Sequence, residues 1–157
     1  MFRHIEVNFL LLHCFGAFVF AQGATHIYNP KTIINEIICD IDHLEKHPQD
    51  LPPDYFEIPK KATDDKCLTS NMNAFEKETN RIHLNKTNEK ELKGRIYKNL
   101  KCLQAICSRL NNTNEHGICE KQQRPVDELL TELKIYLRHV FRKAICHITA
   151  KTYEACR

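Results

Sequence analysis

The chain has 157 residues and a formal net charge of +3, from 23 Lys and Arg against 20 Asp and Glu. That length suits one domain. Glycine is scarce at four and tryptophan is absent; strong helix formers are common and no segment keeps a strand-type alternation, so the expected fold is all-α.

Residues 1–21 read as a secretory signal peptide. The apolar run Phe9–Ala21 follows Arg3, is too short to span a bilayer, and ends in Val19-Phe20-Ala21 before Gln22. The domain then covers residues 22–157. Arg3 and Glu6 leave together, so the net charge stays +3. No later segment is long and apolar enough to cross a membrane, and a secreted product without membrane insertion is expected. Gln22 to Asn29 has no pattern and reads as a loose arm.

The first predicted helix spans Lys31–Lys46. Ile33, Ile34, Ile37, Ile41 and Leu44 recur at three- and four-residue steps, with Ile38 at the edge. Glu36, Asp40, His43 and His47 mark its polar face, and Pro48 stops it. Residues 48–66 hold Pro48, Pro52, Pro53 and Pro59 and the amphipathic piece Asp54–Ile58. Consecutive prolines exclude a helix there. Such a long connection suits a bundle in which the chain travels back one helix length to start a parallel helix.

The second predicted helix starts near Thr63 and Asp64, whose oxygens suit a cap, and ends by about Asn85. Its stripe is Leu68, Met72, Phe75, Thr79 and Ile82. Asn88 and Glu91 resemble a capping box for the third, which runs to about Leu110. Its inward positions are Leu92, Ile96, Leu100, Leu103, Ile106 or Cys107, and Leu110. Its outward face holds Lys93, Arg95, Lys98 and Lys101, and Gly94 is a mild cost. Residues 111–124 form a second connection.

The fourth predicted helix covers Pro125–Ala144. Val126, Leu130, Leu133, Leu137, Val140 and Ala144 form one stripe, flanked by Leu129, Tyr136 and Phe141. Pro125 suits the first helical position, and Asp127 and Glu128 suit the positive end of the dipole. Ile135 lies opposite the stripe beside Thr131, Arg138, His139 and Arg142. Four single-stripe helices covering one another make a four-helix bundle.

Export makes the cysteines disulfide candidates before metal ligands. Of the eight, Cys14 leaves with the signal. The rest are odd in number, leaving one free, capped or paired with another chain. Cys102-x4-Cys107 lacks the companion pair of a zinc site, so no metal is expected. Asn85-Lys86-Thr87 and Asn111-Asn112-Thr113 are glycosylation sequons between predicted helices.

No phosphate loop, metalloprotease helix, nucleophile elbow or papain-like Cys–His setting occurs. The nine histidines are scattered. No enzyme, catalytic residue or cofactor is expected. Binding has more to hold. An acidic face with Glu36 and Asp40 and a basic face with Lys98 and Lys101 belong to helices expected to lie side by side and antiparallel.

The signal peptide, four helices, proline-containing first connection, and cysteines opening the second helix and preceding the fourth resemble the short-chain four-helix cytokines. Within that group, three stretches are similar to interleukin-4 and interleukin-13. Ile34-Asn35-Glu36-Ile37-Ile38 resembles the family's Leu-Gln-Glu-Ile-Ile, whose glutamate is the main contact for the interleukin-4 receptor alpha chain. Lys98-Asn99-Leu100 resembles Arg-Asn-Leu, whose arginine is the other dominant contact; Lys98 keeps the charge without the planar fork. Leu129–Lys134 and Arg138–Arg142 resemble the helix that meets the second receptor chain.

The resemblance implies an up-up-down-down, disulfide-stapled bundle with long crossovers, acting as a monomeric secreted cytokine and growth factor in immune responses. Glu36, Asp40, Lys98 and Lys101 would face an interleukin-4 receptor alpha-like chain. Ile135, Arg138, Phe141 and Arg142 would face a common gamma or interleukin-13 receptor alpha-like chain. Phe141, at the stripe's edge, is also placed to join the core. Cys67–Cys119 would be the shared bridge, stabilising by roughly 4 kcal/mol in the chain-entropy model. Cys39, Cys102, Cys107, Cys146 and Cys156 have no assigned partners, although Cys39 and Cys102 lie on helices that approach each other. Heparan sulfate is a further partner candidate; nucleic acid is not.

Ile58-Pro59-Lys60-Lys61-Ala62-Thr63 also resembles interleukin-2, which keeps the interleukin-2, -15 and -21 branch of T-cell growth factors open. Arg138 stands where that branch has the glutamine that contacts the common gamma chain. The alternative from another class is a helical carrier or lipid-binding protein. Its fixed six-cysteine spacing is not present.

Overall fold

The first helix begins where the sequence offers a cap. Asn29 Oδ1 accepts the Lys31 N–H at 2.9 Å and Pro30 takes the first helical position, so α1 runs Pro30–Glu45. It buries Ile33, Ile34, Ile37, Ile41 and Leu44. This computed structural model describes residues 29–115, 117–143 and 145–146. The expected signal peptide (1–21), the arm that follows it to residue 28, Ala144 and Cys156 lie outside the described residues.

After a short 3-10 turn, Pro48–Asp50, the crossover contains a strand, β1, Tyr55–Pro59. It puts Phe56 and Ile58 into the core at 1% and 0% exposure. A second strand, β2, Lys121–Pro125, pairs with it antiparallel, from Tyr55↔Pro125 to Pro59↔Lys121. The Lys60 N–H to Glu120 carbonyl bond, 2.9 Å, extends the ladder by one step. The all-α expectation is therefore corrected: the fold is mostly helical with a two-stranded sheet joining the two long connections. The physical reason is backbone satisfaction. Burying Phe56 and Ile58 takes their peptide groups out of water, and β2 supplies the partners.

The second helix, α2, is shorter than expected at both ends and spans Leu68–Arg81. Asp64 caps a 3-10 turn, Asp65–Cys67, by accepting the Lys66 N–H at 2.9 Å. Past Arg81 the helix stops, yet Ile82 and Leu84 stay buried. A distant carboxylate closes the N-terminus of α2. Glu115 accepts the backbone N–H of Thr69 and, at 2.9 Å, that of Ser70. These are donors with no partner inside the helix, and a negative charge there meets the positive end of its dipole.

The third helix, α3, spans Thr87–Ile106, with Lys86 at the cap position and no side-chain cap bond. The expected capping box does not form, because Asn88 and Glu91 already lie within the helix. A 3-10 turn, Ser108–Asn111, replaces the expected last turn and keeps Leu110 buried. The fourth helix, α4, spans Val126–Arg142. Pro125 is its cap residue and the end of β2, not its first turn. Its buried side is wider than the stripe: Leu129 and Tyr136 are fully buried beside Leu130, Leu133 and Leu137. The Tyr136 hydroxyl donates to the Leu68 carbonyl at 2.8 Å, and its ring lies 5.3 Å from that of Phe75.

Side-chain pairs give the direction of packing. Glu36–Asn99 and Asp40–Arg95 run opposite ways along α1 and α3. Lys31–Phe141 and Asp42–Lys134 do the same for α1 and α4. Asn73–Gln104 and Glu76–Lys101 do so for α2 and α3. Each of these three helix pairs is antiparallel.

Cys67 and Cys119 are bonded, as the resemblance implied, with Cα atoms 5.6 Å apart. Cys107 and Cys146 form a second bridge, which the sequence did not assign. Cys39 and Cys102 are also disulfide-bonded, and no described cysteine is free. No described helix is long and apolar enough to cross a membrane.

Candidate functional site

The seam between α1 and α3 holds Glu36 and Asp40 of the charged candidates, with Arg95 and Asn99 reaching them from α3. Glu36 is exposed and accepts a bond from Asn99 Nδ2 at 3.2 Å. Partial burial holds its carboxyl above the usual range; the Asn99 bond opposes this, and the Asp40 charge adds to it. Lys98, next to Asn99, is exposed and has no ion-pair partner among the described residues.

One turn along, the expected acidic face is corrected. Asp40 is buried at 7%, not solvent-facing. Arg95 lies over it with two bonds, Nη2 to Oδ1 at 2.6 Å and Nε to Oδ2 at 3.1 Å. This fork matches a carboxylate and fixes α3 against α1. Asp40 is therefore a positioning group. Its carboxylate also raises the Arg95 pKa, chiefly through the hydrogen bond.

Lys101 points elsewhere. It lies 3.6 Å from Glu76 on α2 and 5.3 Å from the Tyr97 ring centroid. The third helix thus turns Lys101 toward α2, while Lys98 stays on its exposed side.

On α4, Ile135, Arg138 and Arg142 share one exposed face. Ile135 is 39% exposed. Phe141 is outside the core at 47% and sits to one side of that face, with Lys31 Nζ 5.7 Å from its ring centroid. The structure thus leaves Phe141 on the surface. Its contact with α1 separates it from the Ile135 face.

Two groups at these seams went unnoticed in the sequence. Lys134, mostly buried, bonds Asp42 at 3.1 Å and Glu45 at 2.5 Å, joining α4 to α1. Its position on the flank of the apolar stripe was the only signal. Asn99 was visible only as the middle of Lys98-Asn99-Leu100. Both sequon asparagines, Asn85 and Asn111, are exposed in connections. A groove of ≈ 470 Å³ lies beside the Cys67–Cys119 bridge, lined by Lys60, Asp64, Asn71 and Ile118, away from the helix faces above.

The chain matches no protein-family model and shows no significant similarity to a curated protein or a solved structure.

Proposed function

We propose that the chain is a secreted cytokine that signals by bringing two cell-surface receptor chains together, built as an up-up-down-down short-chain four-helix bundle. The antiparallel pairs α1–α3, α1–α4 and α2–α3 support that topology, since they leave α1 parallel to α2. The reading is interleukin-4/interleukin-13-like. An interleukin-4 receptor alpha-like chain would meet the α1–α3 seam, and a common gamma or interleukin-13 receptor alpha-like chain the α4 face.

The observation that carries the reading is exposed Glu36 bonded to Asn99, whose chain neighbour is exposed Lys98. An exposed acid on α1 and an exposed base on α3 without an ion pair among the described residues flank the helices that the Asp40–Arg95 fork joins. Opposite charges held in place suit rapid and selective encounter with a complementary surface. In this proposal Glu36 and Lys98 make the contact, Asp40 positions it, and Lys101 is outside it. On α4, Ile135 supplies an apolar centre between Arg138 and Arg142.

The test is charge reversal with purified protein and the receptor alpha-chain ectodomain. Glu36→Lys and Lys98→Glu should each weaken binding by about 30-fold or more, the scale of an interface hot spot. Unchanged binding in both would remove the site.

A further inference from the structure

The first connection holds a tyrosine that the receptor reading does not use. Pro52-Pro53-Asp54-Tyr55-Phe56-Glu57 leads into β1. Alternation along the strand sends Phe56 into the core and Tyr55 to the outer side. Tyr55 is 63% exposed. Asp54, immediately before it, is exposed as well, and Glu57, two positions on, shares its side of the strand. Neither the Tyr55 hydroxyl nor the Asp54 carboxylate is hydrogen-bonded or ion-paired among the described residues. Pro52 and Pro53 have no N–H to donate and favour an extended chain ahead of the tyrosine. Pro125, the residue opposite Tyr55 in the ladder, also lacks an N–H.

The other described tyrosines are placed differently. Tyr136 is fully buried, and its hydroxyl is bonded to the Leu68 carbonyl. Tyr97 is partly buried inside α3, with Lys98 next to it in sequence and Lys101 Nζ 5.3 Å from its ring centroid. An enzyme that modifies a tyrosine must draw the hydroxyl and the adjoining backbone into its cleft. Among the described tyrosines, Tyr55 alone stands free at the end of an element with an acid, not a base, beside it.

Disulfides such as Cys67–Cys119 and Cys107–Cys146 form in an oxidising compartment, apart from the cytosol and its kinases. A tyrosine transferase of the export route holds an anionic phosphosulfate donor in a basic cleft, and an acid beside the acceptor complements that cleft. We propose that Tyr55 is a sulfation site, modified by a tyrosylprotein sulfotransferase during export. The phenolic oxygen attacks the sulfur of a nucleotide phosphosulfate. The new oxygen–sulfur bond forms as the bond from sulfur to the phosphate oxygen breaks. The nucleotide leaves with its phosphate, and the phenol proton passes to a base of the transferase. The product is a fixed negative charge with added acceptor oxygens beside Asp54, suited to arginine on a partner surface. This inference rests on the secreted part of the reading above and not on its receptor contacts.

The experiment uses the full chain in two samples. Purified, disulfide-bonded protein is incubated with a tyrosylprotein sulfotransferase and its phosphosulfate donor, and protein is collected from the medium of cultured cells that express it. Peptide mass mapping should place one added SO3 unit on Tyr55 in both, resistant to phosphatase. Tyr55→Phe should carry none at that position. Asp54→Asn should be modified about tenfold more slowly in the purified reaction. Its melting temperature should match the parent's, since the Asp54 side chain holds nothing in the fold. The proposal is overturned if Tyr55 of the secreted protein is unmodified, if Tyr97 takes the group instead, if a phosphatase removes it, or if Asp54→Asn reacts as fast as the parent. A chain that never reaches the medium contradicts the secreted reading instead, and Tyr55 left unmodified in the purified reaction then overturns the proposal as well.

Discussion

Arg95 grips Asp40 through two bonds, 2.6 and 3.1 Å, across the seam between α1 and α3. The arginine side chain is half exposed and the aspartate almost covered. Breaking such a pair falls between the surface case and the fully buried case. Arg95→Ala should destabilise by about 1–2 kcal/mol, read by chemical denaturation. It should also weaken receptor binding if the fork positions Glu36. Asp40→Asn should cost less, since the amide keeps one acceptor for Arg95.

Glu115 supplies the start of α2 with a charge-assisted cap from more than 40 residues away. Glu115→Gln keeps an acceptor oxygen but loses the charge at the helix dipole. A loss of about 0.5–1 kcal/mol is expected, rising to about 1–2 kcal/mol for Glu115→Ala. A denaturation midpoint equal to the parent's in both variants would show that the cap contributes nothing.

Tyr136 is fully buried, and its hydroxyl is bonded to the Leu68 carbonyl. Tyr136→Phe removes that donor and leaves the ring in place. A loss of about 1–2 kcal/mol should follow, seen as a lower denaturation midpoint at unchanged slope.

Glu89 gives a pH prediction. Desolvation holds its carboxyl above the ordinary value of 4.5, and a hydrogen bond with Asp50 and the Asp50 charge push the same way. A carboxyl raised in the folded state binds more protons there than in the unfolded chain. Its contribution to stability therefore falls as pH rises above 4.5. Asp50 moves down, chiefly through its bond to Lys86, and its contribution is lost as pH falls through its lowered folded-state value. Glu89→Gln, which keeps a donor for Asp50, should melt higher than the parent at neutral pH. The gain should vanish toward pH 4. A gain that is instead larger in acid would contradict the assignment.

Helical periodicity made the four helices legible, because each apolar stripe repeats over several turns. The sheet was not legible for a local reason. Lys121-Gln122-Gln123-Arg124-Pro125 carries no apolar alternation, and only its pairing with the buried Phe56 and Ile58 makes it a strand. The ends of α2 and α3 were misplaced because Ile82, Leu84 and Leu110 continue the apolar pattern into segments that are not α-helical. At the site, Glu36, Lys98 and the Ile135 face were readable as exposed helix positions. The burial of Asp40 was not, since it depends on Arg95 reaching from a helix 55 residues away. Tyr136, counted as a flank of the stripe, is core because α2 closes over it.

The central claim is receptor recognition at the α1–α3 seam. Its most direct measurement is capture of the purified protein by separate receptor ectodomains, the interleukin-4 receptor alpha chain against the interleukin-2 receptor beta chain. The account predicts capture by the alpha chain, lost in Glu36→Lys and retained in Lys101→Ala. Capture by the beta chain alone, or alpha-chain capture indifferent to Glu36, would contradict it.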